Sequence, residues 1–132
     1  MILRHLLVFM FAMGVVTAGP LLSAHHSEAA EFDATKPVKV SGTLTKVEWA
    51  NPHVWFYVDV SGPGETHITW GFSTQPPGAL MRRGIFKEAL KIGAVVNVAG
   101  IRARDGSNNA AMRSLTFADG TQVLAPPPEG GR

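Results

Sequence analysis

Residues 38–72 read VKVSGTLTKVEWANPHVWFYVDVSGPGETHITWGF, and the fold is decided by where the apolar side chains fall in them. From 54 to 60, Val54, Phe56, Val58 and Val60 share one parity while Trp55, Tyr57 and Asp59 share the other, which is the two-residue period of a half-buried strand. Upstream, Val38, Val40 and Leu44 hold one parity and Val47 and Trp49 the opposite one. This predicts a first strand that slips near Thr45 and Lys46 and bends there. Asn51-Pro52 separates the two strands, and Ser61-Gly62-Pro63-Gly64 turns the chain into a third, Thr66 to Phe72. A hairpin centred on Gly62 and Pro63 sets Val58 against Ile68, Phe56 against Trp70, Tyr57 against Thr69 and Asp59 against His67. Trp49, Trp70 and Phe72 are then core residues.

Downstream, Pro76-Pro77 opens a helical stretch, Gly78 to Arg83, which Gly84 ends; Lys87 to Leu90 adds a turn. Arg82 and Arg83 after Leu80-Met81 read as a solvated cap favoured by the helix dipole. Ala94 to Arg104 and Ala111 to Phe117 are the fourth and fifth strands, joined by the polar loop 105–109, and Asp119-Gly120 turns the chain back through Val123 and Leu124. Three strands with a bent first member, a short helix and further strands predict an all-β, OB-fold-like Greek-key barrel, with a β-sandwich as the alternative.

The chain has 132 residues, a formal net charge of +2, 45% apolar residues and no cysteine. One domain fits this length. Without thiols there is no disulfide framework, and any metal must be held by nitrogen or oxygen. Residues 1–24 carry Arg4 and His5, an apolar run from Leu6 to Val16 and small residues at Ala18 and Ala24, the layout of a secretory signal too short to span a bilayer permanently. The expected organisation is a signal peptide at 1–24, an N-terminal arm at 25–36, a barrel at 37–125 and a disordered tail at 126–132. A periplasmic or secreted protein without a stable anchor follows, its basic residues scattered rather than gathered into a nucleic-acid-binding face.

His25-His26-Ser27 after the signal, the run from Gly42 to Trp49 with Asn51-Pro52-His53, Leu80 to Gly84, and Arg104 to Ser107 together resemble a family of small exported bacterial proteins that is a domain of unknown function. The resemblance covers nearly the whole mature chain. It implies export and an OB-like fold, and brings no activity, ligand or catalytic residue with it.

Chemically, the histidines stand out. Cleavage after Ala24 makes His25 the first residue, whose α-amine and Nδ1 can chelate a metal, with His26 or His53 supplying a further imidazole to Cu(II). The plainer reading of the His25-His26 pair is a polar, unpartnered terminus. That of His53 is a hydrogen bond within its own turn. His67 reads as an exposed cross-strand partner of Asp59.

In OB-folds the outer face of strands two and three, with the loops after strands one and four, carries ligands. Here that surface predicts Trp55, Tyr57, Asp59, His67, Arg104 and Asn108 as binding residues, bordered by Thr69, Asp105, Ser107 and Asn109. Aromatic rings with polar neighbours can stack on a sugar, a base or a flat apolar ligand. The alternative is that arm residues Ala29 to Lys36, or another subunit, cover the rings. No paired-carboxylate, phosphate-loop or dinucleotide signature is present, so the expected function is binding rather than catalysis. The partner is a small ligand, with or without copper, or a periplasmic protein docked on the aromatic face; a copper-dependent oxidase is the weaker third class.

Overall fold

A computed structural model describes residues 28–125. Residues 28–31 are helical. Six strands follow: β1 Phe32–Glu48, β2 Trp55–Ser61, β3 His67–Ser73, β4 Val95–Ala103, β5 Asn109–Phe117 and β6 Gln122–Leu124. Helix α1, Pro77–Arg82, and a 3-10 turn, Lys87–Ala89, lie between β3 and β4. The strands run in the order β3-β2-β1-β4-β5-β6, and β3 also pairs with β5. That extra pairing, parallel from Gly71↔Asn109 to Ser73↔Ala111, closes the sheet into a ring, and a closed 1-2-3-5-4 ring is an OB-type Greek-key barrel rather than a sandwich.

β1 is the strand that makes closure possible. It pairs with β4 along its first part and with β2 along its second, and its register slips between Leu44 and Lys46, where the hydrophobic parity changes. One extra residue bends the strand so that it can belong to both walls. The barrel begins earlier than Pro37, because Phe32 already pairs with Ala103. Phe32, Ala103 and Ala111 form a small buried cluster of their own, so part of the expected arm is wall. Alternation gave no sign of this, since Phe32 is the only large apolar residue between 32 and 36.

The β2–β3 register differs from the expectation by two residues: Val58 faces Trp70, Asp59 faces Thr69, Val60 faces Ile68 and Ser61 faces His67. The turn is centred on Gly64 rather than on Gly62-Pro63. Gly64 and Glu65 both take positive φ, 66° and 59°, and the Gly62 amide donates to the Thr66 carbonyl at 2.7 Å. Pro63 has no N–H to offer a tighter turn. A shift of two preserves which face each side chain occupies and changes only its partner.

Inside, Leu44, Val54, Phe56, Val58, Phe72, Val96, Val98 and Leu115 are almost wholly buried. Trp49 and Trp70 are half-buried against that core. The segment between β3 and β4 plugs one end with Leu80, Ile85 and Leu90. Its helix starts on Pro77, where a missing N–H costs nothing. It ends on Gly84 at φ 78°, with the Ile85 amide donating to the Leu80 carbonyl and the Gly84 amide to that of Met81, which is a Schellman close.

Candidate functional site

Outside the barrel, β2 presents Trp55, Tyr57 and Asp59, and the strands beside it determine what these residues meet. The rings of Trp55 and Tyr57 lie nearly parallel, 22° apart with centroids separated by 6.4 Å. On β3, Tyr57 faces Gly71, which carries no side chain, and Trp55 faces Ser73. A Cβ at Gly71 would sit 3.4 Å from Cζ3 of Trp55 and 2.5 Å from Oδ1 of Asn109. The indole would meet that Cβ in ordinary van der Waals contact, whereas Asn109 stands too close for one, so it is the closing strand that requires Gly71. Beside the rings, Thr69 donates its hydroxyl to Oδ1 of Asp59 at 2.6 Å.

On the other flank, the slip in β1 turns Lys46 and Glu48 towards Tyr57, with Lys46↔Tyr57 and Glu48↔Trp55 as partners. Lys46 Nζ lies 2.5 Å from Oε1 of Glu48 and 5.2 Å from the centre of the Tyr57 ring. The Tyr57 hydroxyl donates to Oε2 of Glu48 at 3.0 Å. Hydrogen bonds from Lys46 and then Tyr57 hold the Glu48 carboxyl below its usual range. The bond to Glu48 raises Lys46. Partial burial, and then the bond to Glu48, push the Tyr57 phenol above its ordinary value. All three groups keep their ordinary charge states across neutral pH, so Lys46 is a neutralised cation and Tyr57 a fixed donor.

Arg102 positions the loop after β4. It donates from Nε to the Ser107 carbonyl at 3.1 Å and from Nη2 to that of Gly106 at 2.7 Å, with its guanidinium 5.4 Å from the centre of the Trp70 ring. The loop's end reaches β3, where the Gly71 amide donates to the Asn108 carbonyl at 2.9 Å. Asn108 and Asn109 thus come to the edge of the aromatic platform.

Two expected members do not join them. Arg104 is turned towards the N-terminal segment: its Nε donates to the Ala29 carbonyl at 2.9 Å, and Nη1 lies 3.9 Å from Asp33. His67 sits at the hairpin end opposite Ser61. It stands six residues along β3 from Ser73, the partner of Trp55, a span of about 20 Å, and the corrected register gives Asp59 to Thr69. Residues 29–36 do not lie over Trp55 and Tyr57; the contacts of their polar groups run to Arg104, while Arg113 pairs with Glu28.

His53, in the loop after β1, donates its Nδ1–H to the Thr74 carbonyl at 2.8 Å, so its ring is bonded to the segment after β3 and not within its own turn. His25 and His26 lie outside the described residues. Among the described residues there is no group of three or more His, Asp or Glu placed to hold a metal ion.

Sequence reasoning missed Lys46, Glu48, Gly71 and Arg102. The slip near Thr45, once recognised, already put Lys46 and Glu48 on the face of Tyr57. Gly71 and Arg102 carried no comparable signal.

A family model covers residues 13–112, and its description is a family of unknown function, DUF6152. The chain belongs to this family. No curated protein matches it. Among solved structures it is similar to the mitochondrial single-stranded DNA-binding protein Rim1 of S. cerevisiae, with 9% identity and a TM-score of 0.49, over 66% of this chain and 94% of that one.

Proposed function

We propose that this chain is a binding module rather than a catalyst, working outside the cytoplasm, and that its ligand is an uncharged ring, a saccharide, laid on the Trp55–Tyr57 platform. The observation that carries this reading is the pair of near-parallel, half-buried rings seated over Gly71, on the face that OB barrels use for ligands. Charge selects the ligand class. Lys46 is paired with Glu48, and Asp59 adds a carboxylate, so the platform has no surplus cation with which to follow a phosphate backbone. The carboxylates and the amides of Asn108 and Asn109 suit hydroxyl groups, while the rings suit the apolar face of a pyranose.

Calorimetric titration with short neutral oligosaccharides of glucose and of N-acetylglucosamine, and with an oligothymidylate, tests this. Wild type is expected to bind a glycan, and Trp55→Ala to bind it at least about fivefold more weakly, as stacking energies of about 1–3 kcal/mol imply. Equal binding by Trp55→Ala would overturn the reading. So would preference for the oligonucleotide, or indifference to every glycan by a wild type that self-associates or retains a protein partner.

A second reading, Cu(II) held at a processed amino terminus, is favoured by how the segment just after His26 is fastened. Arg113 grips Glu28 and Arg104 grips the Ala29 carbonyl. His26 and His25 are two and three residues upstream of Glu28, a chain reach of about 7 and 10 Å. Arg113 follows Ala111 on β5, and Ala111 is the parallel partner of Ser73, whose neighbour Thr74 holds the His53 ring. The bond from Nδ1 leaves Nε2 of His53 as the ligating nitrogen. On protein whose terminus is established by intact mass, calorimetry is expected to show one Cu(II) bound below micromolar concentration, lost when His25 and His26 are removed and weakened at least about tenfold by His53→Ala. Unchanged binding by either variant ends this reading.

A further inference from the structure

We infer that the segment between β3 and β4 is a docking surface for an anionic lipid bilayer. Leu80, Ile85 and Leu90 face the core, so the residues between them are turned out. Met81, Phe86 and Ile92 are 44%, 49% and 58% exposed, large apolar side chains facing water on one short cap. The same cap carries Arg82, Arg83, Lys87 and Lys91, all exposed, against a single acid, Glu88.

Elsewhere four of the barrel's six described cations are paired, Lys46 with Glu48, Arg104 and Lys36 with Asp33, and Arg113 with Glu28. Arg102 is bound by the Gly106 and Ser107 carbonyls, and Lys39 has no carboxylate within ion-pair distance among the described residues. Among the described residues no carboxylate lies within ion-pair distance of Arg82, Arg83, Lys87 or Lys91. Lys91 Nζ lies 6.0 Å from the centre of the Phe117 ring, and Asp119, which feels its charge, is itself engaged by the Thr121 amide at 2.8 Å. Four of the six described cations without a carboxylate partner therefore lie on the cap that exposes Met81, Phe86 and Ile92.

Charge and hydrophobicity exposed on one cap choose the occupant. A polyanion in solution needs the cations and gains nothing from Met81, Phe86 and Ile92. A bilayer carrying acidic headgroups uses both, with cations held at the headgroups and apolar tips seated at the acyl boundary. Among the described residues no helix is long and apolar enough to cross a membrane, so the contact is a reversible one at the surface. This inference stands apart from the aromatic platform and the histidines.

Co-sedimentation with vesicles of phosphatidylcholine alone, and of phosphatidylcholine mixed with phosphatidylglycerol, tests it. The wild type is compared with Phe86→Ser and with a variant carrying Arg82→Gln, Arg83→Gln, Lys87→Gln and Lys91→Gln. Residues 1–24, where retained, are common to all three proteins, and differences between them report on the cap alone. All the substituted side chains are exposed, and unchanged urea midpoints verify the fold.

Binding to the acidic vesicles is expected to fall at least about tenfold in the four-site variant, since each basic side chain near an acidic surface contributes a factor of about five. It is expected to fall several-fold in Phe86→Ser. Equal binding to both vesicle types overturns the inference, as does absence of binding by the wild type. Binding that survives Phe86→Ser also overturns it, since the cations then act without the apolar tips.

Discussion

Phe72→Ala is expected to remove about 3–5 kcal/mol of folding free energy. The ring is wholly buried and stands where two pairings meet, opposite Phe56 on β2 and beside Ala110 on β5. Truncation forfeits the transfer of the ring from water and leaves a cavity that cannot collapse, because Phe56 and Ala110 are fixed by hydrogen-bonded strands. Against a typical total of about 5–15 kcal/mol for a domain, the loss leaves a protein that unfolds in low urea or not far above room temperature. Urea denaturation of wild type and variant measures it. Trp70→Ala, at the half-buried neighbouring position, is expected to cost less. A midpoint for Phe72→Ala within experimental error of wild type would mean that the ring is not the keystone of the closure.

The second large effect is expected from adding a single methyl group. In Gly42→Ala the new Cβ falls 2.2 Å from the carbonyl oxygen of Asp59, 2.9 Å from its carbonyl carbon and 3.0 Å from Cγ1 of Val58. Two of these obstacles are backbone and cannot rotate away, so β1 and β2 have to part. Gly42 lies just before the slip in β1, and the adjacent Thr43 pairs with Asp59 on one side and Val95 on the other, so a displacement there is felt by both walls. We expect a loss of about 3 kcal/mol, the upper end of the usual overpacking range, read as a lowered urea midpoint. Ser41→Ala at the exposed neighbouring position serves as the control and is expected to stay within about 0.5 kcal/mol of wild type.

Most of the wall was legible because a strand covered on one side has to alternate. The parities of Val54 to Val60 and of Val38 to Trp49 gave β2, β1 and the slip between Leu44 and Lys46. The hairpin register was misplaced by two because alternation specifies a face and not a partner. The partner depends on the turn, and Glu65 in a left-handed conformation is not a residue that composition flags. Phe32 was missed for a related reason: one buried ring followed by exposed residues has no period.

At the candidate site, the aromatic pair and Asp59 were legible from the same alternation. Arg104 was not, because its fate depends on Ala29 and Asp33, residues more than seventy positions away along the chain. A long flexible side chain goes to whichever carbonyl or carboxylate the fold brings near, and no local pattern encodes that. The cap that carries Arg82 and Arg83 was read as a solvated helix end, which is correct as far as it goes. Only the burial of Leu80, Ile85 and Leu90 reveals that Met81, Phe86 and Ile92 share the outside with those charges.

The parallel seam between Gly71–Ser73 and Asn109–Ala111 orders events in time as well as in space. A chain delivered amino end first, from a ribosome or through a narrow channel, can assemble its opening meander early, but that meander keeps one bare edge until residue 111 has emerged. Latching thus awaits nearly the whole polypeptide, and an incomplete chain stays pliable enough to thread. Any truncation ahead of Asn109 should yield not a smaller barrel but an open, adhesive sheet.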